Sequence, residues 1–125
     1  MQKIGRQAAF ISAGGYHHHI GLNTWSSEGG KPPPTTATGL FHTAIRLPTR
    51  KDLAIIYNQL VEHQYPLTGT ADHGVSEALY LDDPDRNGVE LYWDRDKKEW
   101  PYGENGQLNM YTRSLDLKGL LALLH

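Results

Sequence analysis

The stretch from Gly39 to Asp94, GLFHTAIRLPTRKDLAIIYNQLVEHQYPLTGTADHGVSEALYLDDPDRNGVELYWD, constrains the fold more than any other part of the chain. It opens with a strand pattern over Leu40 to Leu47 that Pro48 ends, and Thr49 with Asp52 three residues later predicts an N-cap box. Leu53, Ile56, Tyr57, Leu60 and Val61 then recur at helical spacing, which predicts an amphipathic helix of about four turns. Pro66 prevents its continuation, because proline lacks the amide proton a helix needs. A short segment near Leu67, a turn at Asp72-His73-Gly74, a strand from Ser76 to Leu81 and a last strand from Val89 to Trp93 follow. The order is β-α-β-β-β, an α+β arrangement in which one helix covers one sheet face. The link DDPDRNG between the last two strands is dense in turn formers.

The flanks are read as approach and exit. Gln7 to Ser12 and Tyr16 to Trp25 are both strand-like, and Gly14-Gly15 between them supplies the positive φ of a hairpin turn. Alternation along the second of these strands puts His18, Ile20 and Leu22 on one face and His17, His19, Gly21 and Asn23 on the other. Residues 26–38 have no periodicity and hold three consecutive prolines, which predicts an extended, exposed connection. Residues 95–113 are polar and read as irregular. Ser114 is the expected cap of a short last helix, whose stripe of Leu117, Leu120, Leu121 and Leu124 must dock on something.

Composition narrows the function classes. The chain has 125 residues, one small domain by size, with 38% hydrophobic and 21% charged residues, so wholesale disorder is excluded. A net charge of −2 gives no footprint for nucleic acid. No apolar run reaches membrane-spanning length and the N-terminus has no hydrophobic signal core, so neither a membrane nor a secreted setting is expected and a cytoplasmic location is the default. The absence of cysteine excludes disulfides and thiolate metal ligands. Seven His, seven Tyr and three Trp are many groups that bind metal, move protons or donate hydrogen bonds from half-apolar settings.

Two of these groups stand out by position. Phe41 and Ile45 form the expected core-facing set of the first strand, which turns His42 to the face away from the helix. Val89, Leu91 and Trp93 likewise turn Glu90 and Tyr92 outward from the helix. A carboxylate between Val89 and Leu91 is costly to desolvate without compensation. Imidazole plus carboxylate is a donor set that Fe(II) or Mn(II) takes. Spacing alone leaves a second reading open, in which His42 is a satisfied strand histidine and Glu90 an exposed partner of a Lys or Arg.

The segments GGYHHHIGLNTW, GLFHTAIRLP and DHGVSEALYLDDPDRNGVELYWDR, with the Pro-rich link between the first two, carry a resemblance over Gln7 to Trp100. The chain resembles the C-terminal part of extradiol catechol 2,3-dioxygenases, of the vicinal oxygen chelate superfamily that includes glyoxalase I and bleomycin-resistance proteins. The resemblance implies a βαβββ module over 39–100, a closing hairpin of a partial preceding module over 1–25, a linker over 26–38 and a tail with a short helix over 101–125. It implies a non-haem Fe(II) site, with Mn(II) as the alternative, held by His42 and Glu90, and a catechol and O2 as substrates. His18 matches the family's distal acid–base histidine, His73 a histidine near the substrate oxygen, and Tyr80 a tyrosine that hydrogen-bonds the bound catecholate. The family's first metal-binding His lies in the opening strand of the preceding module, which this sequence does not include; this is the main departure from the pattern.

Three functions follow as expectations. The first is an extradiol dioxygenase or its C-terminal fragment. The second is a metal-free or incomplete module that binds a small ligand or serves in assembly, and the third a glyoxalase-like metal enzyme. Because the family's cup needs two modules, a homo-oligomer is expected, pairing modules between chains, with the segment 7–25 as the element to exchange.

Overall fold

The computed structural model describes residues 1–125, which divide into two compact units, Met1–Thr35 and Thr36–His125. In the first, β1 (Gln2–Ile4), β2 (Ala8–Ile11) and β3 (Ile20–Asn23) form an antiparallel sheet in that order. The hairpin of β2 and β3 is as expected, but its ladder is shorter. Pairing ends at Ile11↔Ile20, so Tyr16 to His19 lie in the connection rather than in the strand. Gly14 (φ 66°) and Gly15 (φ 75°) open a wide loop there, and the Ser12 hydroxyl donates to the Tyr16 carbonyl. The alternation argument therefore does not apply to His17, His18 and His19. Strand β1 had no sequence signal, since three residues are too few to show a period.

The second unit holds β4 (His42–Arg46), α1 (Arg50–Glu62), β5 (Gly69–Asp72), β6 (Ser76–Asp82), β7 (Gly88–Asp94) and α2 (Leu117–Leu121). Its sheet runs β4-β7-β6-β5; β4 is parallel to β7 and the other pairs are antiparallel. The α+β order is the one the periodicity predicts. Helix α1 starts where the cap box placed it: Thr49 Oγ1 accepts from the Asp52 amide, and Asp52 Oδ2 accepts from the Thr49 amide at 3.0 Å. At its end the His63 ring sits 2.8 Å from the Gln59 carbonyl.

The core lies between this helix, the sheet and the C-terminal segment. Leu53, Ala54, Leu79, Leu115 and Leu120 are buried together, with Leu47, Tyr57, Leu60, Leu91 and Trp93 packed around them. Helix α1 packs against β7 and α2, over the middle of the sheet and not over its β4 edge. That corrects one expectation. Phe41 is 88% exposed and Ile45 38% exposed, so neither is a core residue, although Ile45 does share the helix-side face. Val61 is exposed as well, because the buried stripe of α1 centres on Leu53 and Ala54.

The leucine stripe at the C-terminus docks on α1, which is where its sequence required a partner. Its cap is Asp116, which accepts from the Gly119 amide at 2.9 Å, and not Ser114. Leu115, buried between them, fixes the chain in an extended entry before the helix begins. The preceding residues expected to be irregular include a short 3-10 turn (Lys97–Glu99) and a return to the sheet, where Arg113 bridges Asp72. No helix is long and apolar enough to cross a membrane.

Candidate functional site

Alternation on β6 and β7 sends Leu79, Leu91 and Trp93 under the helix, and Tyr80, Glu90 and Tyr92 to the opposite face. The register pairs Tyr80 directly with Glu90, and pairs His42 with Gly88 across the parallel ladder. Gly88 is what allows this close approach. A Cβ there would collide with the Phe41 carbonyl oxygen and come within 3.1 Å of the His42 Cβ.

These positions bring four of the side chains singled out in the sequence into one line. His42 Nε2 lies 2.9 Å from Glu90 Oε2. The Tyr80 hydroxyl donates to Glu90 Oε1 at 3.1 Å, and His73 Nε2 is 2.9 Å from the same hydroxyl. The single Tyr80 O–H thus lies between two acceptors, Glu90 Oε1 and His73 Nε2. The other ring nitrogen, Nδ1, carries the ring proton: it donates to the Tyr111 carbonyl, which can only accept, at 3.1 Å, with Thr112 Oγ1 at 3.3 Å.

Electrostatics fix the protonation of the central member. Burial, then the charge and the hydrogen bond of Glu90, push the Tyr80 phenol up to about 12. It therefore stays a hydrogen-bond donor throughout the neutral range.

His18 belongs to the other unit. Its ring packs on Phe10 with centroids 4.8 Å apart, and its Nδ1 lies 2.8 Å from that of His17, both rings being exposed.

The donor types of His42 and Glu90 suit Fe(II) or Mn(II). Their 2.9 Å separation is near the roughly 3 Å expected between neighbouring ligand atoms each about 2.1 Å from one ion. His42 Nδ1 is buried without a hydrogen-bond partner, so the ring is held by packing while Nε2 does the polar work. No group of three or more His, Cys, Asp or Glu converges to hold a metal. The pair fits as two donors of a metal site and does not by itself make a three-ligand set.

Sequence reasoning passed over the residues that orient this line. Tyr111 and Thr112 come from a tail without periodicity, and only the structure brings them to His73. Glu77, 4% exposed, was the one with a signal: a carboxylate inside the run VSEALYL, on the helix-side parity of Leu79.

Residues 1–91 match the family described as the Glyoxalase/Bleomycin resistance protein/Dioxygenase superfamily. Over 89 residues the chain is 48% identical to the catechol-2,3-dioxygenase of Bacillus subtilis (strain 168), covering 71% of this chain and 31% of that protein. It is 41% identical over 86 residues to biphenyl-2,3-diol 1,2-dioxygenase 3 of Rhodococcus globerulus, covering 68% of this chain and 45% of that one. Biphenyl-2,3-diol 1,2-dioxygenase 2 of the same organism is 34% identical over 94 residues, covering 72% and 47%. The matched region spans less than half the length of each of these relatives. No solved structure matches the chain.

Proposed function

The chain belongs to the glyoxalase/bleomycin resistance/dioxygenase superfamily, and on that premise we propose that it carries the site chemistry of an extradiol ring-cleaving dioxygenase acting on a catechol. The observation that carries this reading is the unbroken line His42–Glu90–Tyr80–His73 on one sheet face. The reaction breaks the ring C–C bond next to the diol and places both atoms of O2 in the ring-opened semialdehyde, so no outside reductant is needed. His42 and Glu90 would hold Fe(II), with Mn(II) as the alternative. The bound ion supplies a Lewis-acidic centre for the diol and O2.

The remaining roles fall to groups of the chain itself. A diol that binds through both oxygens must lose a proton, and imidazole is the side chain suited to exchange one near neutral pH. His18 is assigned that role by its motif. Tyr80, kept protonated by burial and Glu90, would turn its one O–H from Glu90 to the anionic substrate oxygen, with the His73 ring beside that oxygen.

Anaerobic reconstitution with Fe(II) followed by catechol in air tests the proposal. The expected outcome is stoichiometric iron and a yellow product, both lost in His42→Ala and Glu90→Ala. Absence of retained iron and of product from the parent chain would reject the enzymatic reading for it.

A cup built from two modules requires a second one, and a second copy of this chain would provide it, so the proposal includes self-association. Sedimentation at micromolar concentration should show a species heavier than one chain; a sharp monomer would count against it. One observation favours the second reading, a small-ligand-binding or assembly module without metal: only two donors converge.

A further inference from the structure

His73 stands in a three-residue turn between β5 and β6, a place where an imidazole has no strand ladder to fix its direction. Several contacts converge on that turn, and one residue makes more of them than any other. The Arg95 guanidinium grips the residue before His73 with both prongs, Nη1 to Asp72 Oδ1 at 2.7 Å and Nη2 to Asp72 Oδ2 at 3.0 Å. Its backbone amide donates to the Val75 carbonyl at 2.8 Å, on the far side of the same turn. Asp72 Oδ1, so held, accepts from the Gly74 amide at 2.8 Å. Arg95 therefore clamps both ends of the turn that presents His73.

The clamp is itself anchored. Arg95 Nη2 donates to Glu77 Oε1 at 2.8 Å, and Arg50 Nε, at the start of α1, donates to Glu77 Oε2 at 2.7 Å. The wall of the turn comes from the C-terminal segment. Asp72 and Arg113 exchange both backbone hydrogen bonds at 2.9 Å, and the Tyr111 carbonyl and Thr112 hydroxyl meet the His73 ring. Gly74 has φ +78°, and a Cβ there would fall 2.7 Å from the Tyr111 ring and 2.8 Å from Pro101. The turn is thus packed against Tyr111 and Pro101, which restricts how far His73 can swing.

Charged groups buried in this way add little stability over apolar residues of the same volume, and their best-attested use is to specify one arrangement. The planar fork of an arginine fixes direction as well as distance, which a lysine does not. We infer that Arg95 is a positioning residue for His73: through Asp72 and Glu77 it ties the imidazole that faces Tyr80 to the helix and the sheet. The inference deepens the dioxygenase reading, on which only its kinetic arm rests.

Nitrogen-15 NMR of the histidine rings in the full chain tests it without turnover. The seven histidines are resolved by loss of one signal in His73→Gln. In the parent chain His73 should show a single Nδ1–H tautomer, the one that donates to the Tyr111 carbonyl. In Arg95→Met its resonances should move to those of an averaged, exposed imidazole while the His42 signals stay in place. Arg95→Lys retains a cation for Asp72 and Glu77 and so keeps the fold; losing the fork, it should move the His73 signals in the same direction by less. A folded Arg95→Lys or Arg95→Met chain with unchanged His73 resonances would overturn the inference. Where Arg95→Met does not fold, Arg95→Lys decides alone. In a preparation that cleaves catechol, Arg95→Met should lower kcat by about 100-fold with KM unchanged, the scale set by misplacing a group by about an ångström. A parent chain that cleaves nothing would reject the dioxygenase reading and leave the tautomer result to decide the role of Arg95.

Discussion

Glu77→Ala is expected to destabilise the second unit by about 3–5 kcal/mol, read as a shift in the urea unfolding midpoint. Glu77 is 4% exposed and accepts from Arg50 of α1 and from Arg95 beyond β7, each closer than 3 Å. Removing it takes a carboxylate from two guanidinium groups at the helix–sheet junction. Arg95 keeps Asp72, whereas Arg50 keeps no acidic partner. Burial opposes the charged form of Asp72, but the hydrogen bonds from Arg95 and Gly74 and the charges of Arg95 and Arg113 outweigh it and hold its carboxyl below the usual carboxylate range. Glu77→Gln keeps the volume and one acceptor oxygen, so its cost should be smaller than that of alanine. A Glu77→Ala chain within about 0.5 kcal/mol of the parent, the range of ordinary surface changes, would show that the network does not join helix to sheet.

Leu120→Ala is expected to cost about 2–5 kcal/mol, the range for a fully enclosed leucine, and to lower the melting temperature on the order of 10 °C. Leu120 has no exposed surface and packs with Leu53, Ala54, Leu79 and Leu115. It lies outside the residues matched by the family, which end at 91. The expected loss therefore tests whether the C-terminal segment is part of this core or an addition to it. Leu123→Ala, at a position 37% exposed, serves as the comparison and should change stability by less than about 0.5 kcal/mol. Equal effects at the two positions would mean that α2 is not seated on α1 in solution.

Which parts of this molecule could be read without coordinates depends on how far apart the interacting residues are. The helix was readable because its cap box and its apolar spacing involve neighbours within two turns, and the same contacts form in any setting. The faces of Glu90 and Tyr80 were readable because strand alternation is fixed by the backbone. The exposure of Phe41 was not, since it depends on where the helix settles across the sheet. Nor was the loop position of His18, because a two-glycine turn leaves the length of the hairpin ladder open.

The sequence by itself determined the element order, the N-cap of α1, the apolar stripe of α2 and the chemical types available on each strand face. Tertiary structure alone decided that His42, Glu90, Tyr80 and His73 form one hydrogen-bonded line, with strand register setting the first three and the turn at Gly74 the fourth. It also decided that residues 111–113 return to wall in His73 and that Arg95 clamps its turn. The physical reason is common to these. Propensity and periodicity act between near neighbours, whereas a hydrogen bond spanning 38 residues, such as that between His73 and Tyr111, exists only once packing has fixed both ends.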